Sequence, residues 1–209
     1  MLEYLAGGTL ADALHGSATG TAPLSWAQRM RILHDVACAL EHLHDGGGGT
    51  STAVVHGDVS ASNVLLDGAT GGGAQLYDLG SACEGFSAAV APARAAVAVG
   101  SPGYADPFFL RTGIVSSKSD VYGFGVLLLE TVTGLPAACD GATSEIENLT
   151  ARILSRVRAR GVAGLVDARL GEGGYDEEEA YARGFVRVKL RGRVGVNIEL
   201  FERIFFSSF

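Results

Sequence analysis

The stretch VYGFGVLLLETV, residues 121–132, is the feature that most restricts how this chain can fold. Its residues are apolar on every side of a helical projection, and a helix of that kind must be enclosed by the rest of the protein. With 209 residues, 47% of them hydrophobic, the chain can build one core around it. The sequence therefore predicts a buried central helix over residues 120–133.

Further elements follow from periodicity. From Ser25 to His44 the apolar residues recur at spacings of three and four, which predicts an amphipathic helix, and Ser25 with Gln28 makes a capping box at its start. A weaker helical pattern covers 143–160. Short strands are predicted over 53–56, 63–67 and 74–78, forming one or two hairpins. The fold class is mainly α with short β-hairpins.

Three stretches have the composition of loops. The glycine-rich stretches 45–52 and 68–73 are expected to be exposed, because glycine-rich runs interrupt helices and strands. Residues 81–99 are rich in alanine and serine without a clear period, which predicts a mobile loop.

Composition disfavours several classes of protein. A net charge of −7 argues against a nucleic-acid binder, which needs a basic surface to neutralise phosphates. The three cysteines have no spacing typical of a zinc site or a disulfide framework, so a reducing compartment is expected. No apolar run approaches the roughly 20 residues that cross a bilayer, and no signal peptide begins the chain. We expect a soluble protein without a transmembrane segment.

The stretch AVVHGDVSASNVLLD, residues 53–67, carries the candidate chemistry. It places Asp58 five residues before Asn63, and a second acidic group, Asp78, begins the triplet Asp-Leu-Gly. Taken alone, Asp58 and Asn63 are as well explained by a turn between strands, where both residue types are favoured. These residues are followed, in a fixed order, by the later stretch GSPGYADPFFLRTGIVSSKSDVYGFGVLLLETVTG. The order of the motifs argues against two turn residues that occur together by chance.

Together these motifs resemble the C-terminal lobe of a protein kinase, closest to the plant receptor-like Ser/Thr kinases. The resemblance covers residues 1 to about 170: MLEYLAGGTL is similar to the hinge between the two lobes, and SWAQRMRILHDVACALEHLH to the long helix after it. It implies an ATP-dependent enzyme that uses Mg²⁺ to phosphorylate hydroxyl groups of proteins.

The resemblance also implies a role for each motif residue. Asp58 would be the catalytic base, and Asn63 and Asp78 would hold Mg²⁺ next to the nucleotide. The backbone of Glu3 and Leu5 would face adenine. Two further residues have structural roles by this comparison: His56 is expected to be packed and hydrogen-bonded, and Asp120 to anchor the backbone of the catalytic loop.

Several positions depart from the family pattern. Gly57 stands where an arginine usually pairs with an activation-loop phosphate, and Ser60 replaces the lysine that supports the transferring phosphate. A hydroxyl does not supply that charge. Phe108 replaces a glutamate that would form an ion pair with a later arginine, whereas Leu79 for phenylalanine is a tolerable change.

The resemblance begins at the hinge, so residues 1–209 contain no counterpart of the glycine-rich loop, the strand lysine or the helix glutamate of the small lobe. We expect a partial kinase domain over 1–180 that lacks the small lobe, followed by a divergent tail over 181–209. The tail alternates basic and hydrophobic residues, as a partner-binding or membrane-surface segment would, but an accidental sequence from a shifted reading frame is favoured.

Two hypotheses on function follow. One is a genuine Ser/Thr kinase represented by its large lobe. The other is an inactive, pseudokinase-like module that binds proteins, or a non-functional truncated product. For the isolated chain we expect inactivity, doubtful binding of ATP and Mg²⁺, a protein substrate or partner, and a cytoplasmic location; intact relatives often lie at the plasma membrane with the kinase domain facing the cytosol.

Overall fold

Helix α4, Ser117–Thr133, lies at the centre of the structure, as the apolar stretch predicts. In this computed structural model the described residues are 7–16, 22–46, 52–68, 73–84, 100–140, 146–160, 165–170, 189–190 and 194–195. Phe124, Leu127, Leu128 and Val132 of α4 belong to the main hydrophobic core. Gly134, in the left-handed conformation, ends the helix.

Four other helices are described: α1 Leu10–His15, α2 Trp26–His44, α3 Pro107–Thr112 and α5 Leu149–Arg160. Helix α2 packs on α4 and begins at the predicted capping box, where the Gln28 N–H donates to Ser25 Oγ and the Ser25 N–H donates to Gln28 Oε1. Helix α5 starts at Leu149 rather than at residue 143, because residues 146–148 form a strand.

Within the described residues the strands are short and form four antiparallel two-stranded sheets. They are β1 Val54–Val55, β2 Val64–Leu66, β3 Ala74–Leu76, β4 Cys83–Glu84, β5 Ala138–Asp140, β6 Ile146–Asn148, β7 Lys189–Leu190 and β8 Val194–Gly195. The pairs are β1 with β4, β2 with β3, β5 with β6, and β7 with β8. The prediction of a mainly helical protein with short hairpins is confirmed for the described residues.

The one or two hairpins predicted over 53–78 are confirmed as one, between β2 and β3. Strand β1 pairs with β4, outside that range, because the chain leads from β1 into the loop of residues 56–63. The loop predicted over 81–99 is wrong at its start, because Ser81 ends a 3₁₀ turn and Cys83–Glu84 form β4. Residues 85–99, most of the two glycine-rich stretches, and all of the tail except β7 and β8 lie outside the described residues.

A buried arginine joins the helices. Arg29 of α2 is fully buried, which its position in an amphipathic helix did not predict. Its guanidinium donates to Leu24 O (2.9 Å), to Thr131 O (2.7 Å) and to Asp167 Oδ2 (2.8 Å). A second arginine, Arg169, donates to the same carboxylate. Because each buried charge has charged or polar partners, the cluster ties α2 and α4 to segment 165–170.

We predict that Arg29→Ala lowers the free energy of unfolding by about 3–5 kcal/mol, because it removes one partner of a buried ion pair and leaves carbonyl groups unpaired. Chemical denaturation of the two proteins measures the difference. Arg31→Ala, on the exposed side of α2, is the matched control, and we expect it to change stability by no more than about 0.5 kcal/mol. Equal effects of the two substitutions would contradict the prediction.

The charge of Asp167 makes the free energy of unfolding depend on pH. Burial alone would raise the pKa of this carboxyl, but hydrogen bonds from Arg169 and Arg29 and the charge of Arg29 hold its pKa well below the ordinary value. In the unfolded chain an aspartate has a pKa of about 3.9. The stabilisation is therefore complete above that pH and is lost progressively as the pH falls towards the lower folded-state pKa.

We predict that Asp167→Asn destabilises the protein at pH 7, and that the difference from the unsubstituted protein shrinks as the pH is lowered below about 4. Urea unfolding at a series of pH values measures this difference. A difference that stays constant down to pH about 2.5 would show that the Asp167 charge does not stabilise the fold.

Candidate active site

The loop of residues 56–63 is fixed to the central helix by one carboxylate. Asp120, buried in the first turn of α4, accepts the His56 N–H at Oδ2 (2.8 Å) and the Gly57 N–H at Oδ1 (2.8 Å). His44 Nε2 also donates to Oδ2 (2.8 Å). Gly123, one turn along α4, would place a Cβ 3.0 Å from Val59 O, so a larger residue would push the loop away by a few tenths of an ångström.

His56 is packed and hydrogen-bonded, as expected. Its side chain is fully buried, Nε2 donates to Tyr77 O (3.1 Å), and Nδ1 accepts the Asp58 N–H (3.3 Å). These two contacts require the tautomer with its proton on Nε2. His56 thus connects the loop of Asp58 to the loop after β3.

The Asp58 carboxylate is held at both oxygens. Oδ1 accepts the Ser101 N–H (2.8 Å), and Oδ2 accepts Asn63 Nδ2 (3.0 Å), which also donates to Asp58 O (2.8 Å). Both donors to the carboxylate are neutral, so they orient it without cancelling its charge. Asp58 and Asn63, predicted as separate site residues, are therefore in direct contact.

A small cavity lies beside Asp58. Its walls include Gly100, Ser101, Tyr104 and Phe109, and its volume of about 30 Å³ admits a group the size of water. A hydroxyl group in this cavity would lie close to the Asp58 carboxylate.

Asp78 lies on the neighbouring loop, at the end of β3. It is exposed and has φ 64°, a left-handed conformation that is uncommon outside glycine but tolerated by aspartate. Its Oδ1 accepts the Gly80 N–H (3.1 Å). The Tyr77 N–H donates to Asn63 O (3.0 Å), so this loop lies directly against that of Asp58 and Asn63.

Gly57 suits this contact between the two loops. Its φ of 81° favours glycine, and a Cβ at this position would lie 2.5 Å from Ser81 O. The close approach of the two loops therefore requires a glycine at the position where the family pattern has arginine.

The oxygen donors at the site suit a hard cation. Asn63 directs its amide nitrogen to Asp58, which leaves the amide oxygen for a cation, and Asp78 offers an exposed carboxylate. Mg²⁺ prefers such oxygen ligands and is usually held by one or two side chains together with substrate phosphates. No set of three His, Cys, Asp or Glu side chains within the described residues could hold a metal by itself.

Ser60 is a buried neutral group. It is fully buried, and the Ser101 hydroxyl donates to its Oγ (3.0 Å). Where the family pattern has a lysine, the structure thus has a pair of hydroxyl groups beside Asp58. Glu3 and Leu5, the predicted adenine-facing residues, lie outside the described residues.

Sequence reasoning missed a polar cluster behind the loop. Glu130, buried in α4, accepts hydrogen bonds from the Tyr104 hydroxyl, from His15 Nε2 (2.9 Å) and from the Ala137 N–H (3.2 Å). Tyr104 in turn accepts the Ala61 N–H (3.2 Å). Burial and the charge of Glu130 raise the pKa of Tyr104. The one carboxylate in the apolar run LLLETV was the available signal.

The order of these loops around the central helix is that of a protein kinase domain, and comparison with known proteins identifies the same family. The sequence matches the protein kinase domain family over residues 1–167. The chain therefore belongs to the protein kinase family.

Its relatives are plant receptor-like kinases. It is 47% identical over 184 residues to salt tolerance receptor-like cytoplasmic kinase 1 of Oryza sativa subsp. japonica, covering 86% of this chain and 48% of the relative. It is 44% identical over 143 residues to a probable receptor-like protein kinase of Arabidopsis thaliana, covering 66% and 40%. The chain thus spans about half the length, or less, of these relatives. None of the helices within the described residues has the length and apolarity to span a membrane.

We predict that Asp120→Ala lowers the free energy of unfolding by about 3 kcal/mol or more, because it leaves the buried N–H groups of His56 and Gly57 without an acceptor. Denaturant titration measures the loss. Lys118→Ala, on the exposed side of the same turn, is the control and should be nearly neutral. A loss below about 1 kcal/mol for Asp120→Ala would mean that the loop is held in place by other contacts.

Proposed function

We propose that this chain carries the catalytic loop of an ATP-dependent Ser/Thr protein kinase, with Asp58 as the base for a protein hydroxyl. The observation that supports this most is the Asp58 carboxylate itself, oriented by Asn63 and Ser101 beside a cavity of hydroxyl size. Phosphoryl transfer needs a carboxylate in this role.

Each neighbouring residue then has a part in the reaction. Asp58 accepts the hydroxyl proton as the oxygen attacks phosphorus, and His56 and Asp120 keep its loop in place. Asn63 and Asp78 would hold Mg²⁺, which neutralises charge on the nucleotide phosphates when bound. The backbone of Glu3 and Leu5 is proposed to contact adenine.

We further propose that residues 1–209, tested alone, transfer phosphate very slowly and bind ATP and Mg²⁺ weakly. Ser60 is a buried hydroxyl in the place of a cation. Kinase catalysis is mostly positioning and electrostatic stabilisation, and the loss of one preorganised partner costs on the order of 10²–10³ in rate.

An inactive, protein-binding module is the second candidate. Phe108 and Leu110 of α3 are 47% and 56% exposed, and Phe108 stands where the family pattern has glutamate. The two residues are two positions apart and therefore face different directions, but each offers an apolar side chain for contact with another protein. In either case we propose a cytoplasmic chain that acts on or with a protein.

A radiolabelled-ATP assay on residues 1–209 with a generic protein substrate tests the proposal. We expect no incorporation above background, both for this chain and for Asp58→Asn, which keeps the shape of the side chain and removes its basicity. Calorimetry with Mg²⁺-ATP measures binding separately.

Two outcomes would change the conclusion. Incorporation that vanishes in Asp58→Asn would show that the chain is an active kinase and that Asp58 is essential. Incorporation that persists in Asp58→Asn would refute the assignment of the base.

A further inference from the structure

The solvent side of α2 carries residues that bind transition metals. His34, Cys38 and His42 are exposed and spaced four residues apart, so they follow one another along one face of the helix. This face is opposite to the buried residues Leu33 and Val36 to Ala37, and far in sequence from the proposed catalytic loop.

His34 and Cys38 are already at the separation of two ligands on one metal ion. Cys38 Sγ lies 3.7 Å from His34 Nε2 and 3.9 Å from Nδ1. Bond lengths of about 2.3 Å to sulfur and 2.0 Å to nitrogen, with a tetrahedral angle, place the two ligand atoms about 3.5 Å apart. The His34 side chain is 65% exposed, so its ring can turn to direct a nitrogen at the ion.

The surroundings of the pair favour a cation. Asp35 Oδ1 lies 3.5 Å from His34 Nδ1, and Asp35 Oδ2 accepts the Ala74 N–H (3.1 Å), which anchors the carboxylate to β3. A carboxylate behind an imidazole commonly orients a metal-binding histidine. The carboxylates of Glu41 and Asp35 lie close enough to act on Cys38, and their negative charges attract a divalent ion.

We propose that His34 Nε2 and Cys38 Sγ form an open binding site for Zn²⁺ or a similar borderline-soft divalent ion, with water completing the coordination. No third His, Cys, Asp or Glu within the described part of the chain joins them in a closed set. On binding, the sulfur–metal bond replaces the S–H bond and one proton is released to solvent, so affinity rises with pH. This inference is independent of the proposed kinase function.

Alkylation of the full chain by iodoacetamide, followed by peptide mass spectrometry with and without Zn²⁺, tests the site. Cys83 is also exposed and serves as an internal control in the same molecule. We expect Zn²⁺ to slow labelling of Cys38 and to leave Cys83 nearly unchanged. His34→Gln should weaken the apparent Zn²⁺ affinity about tenfold or more, whereas His42→Gln, on the same exposed face, should have little effect.

Three outcomes would overturn the proposal: no protection of Cys38 at any Zn²⁺ concentration that keeps the protein soluble, equal protection of Cys38 and Cys83, or full protection in His34→Gln. A loss of protection in His42→Gln as large as in His34→Gln would also overturn it, because the pair would then not be the binding site. Circular dichroism of each variant confirms that α2 stays helical.

Discussion

The proposed site depends on the hydrogen bonds that the Asp120 carboxylate accepts. This carboxylate is buried at the start of the central helix, and it holds the backbone N–H groups of His56 and Gly57. Burial of a carboxylate costs free energy unless its oxygens accept hydrogen bonds. The buried Asp120 therefore needs the loop in this position, and the loop needs Asp120 as its acceptor. Asp58 is placed two residues after His56, and its direction is therefore determined by the core of the protein.

Buried polar groups elsewhere follow the same principle. Arg29 with Asp167, and Glu130 with Tyr104 and His15, are sets of partners from different parts of the chain. Such sets add little net stability compared with apolar packing, but the loss of one member is costly. These contacts determine the positions of α1, α2 and segment 100–106 relative to α4. Hydrophobic packing alone would allow more than one such arrangement.

Local sequence patterns predicted the helices and strands. Strand pairing and the burial of charged residues depend on contacts between residues distant in sequence. The apolar run at 121–132 and the capping box at Ser25 were sufficient for α4 and α2. The burial of Arg29 depends on Asp167, 138 residues later, and the pairing of β1 with β4 spans the whole catalytic loop. Motif order indicated Asp58 and Asn63. The contacts of Ser101 and Glu130 were not predicted, because only the folded chain brings these residues to their partners.

The Ser101 N–H has a consequence for any hydrogen-bond donor that approaches Asp58. It occupies Oδ1 and belongs to the same molecule, so it acts as an intramolecular competitor whose effective concentration does not fall on dilution. A hydroxyl group that takes its place must match a hydrogen bond to a charged acceptor, which is worth about 1.5–3 kcal/mol net. Movement of segment 100–106 would release this oxygen, so the position of that segment determines how many hydrogen bonds the Asp58 carboxylate can accept from other groups.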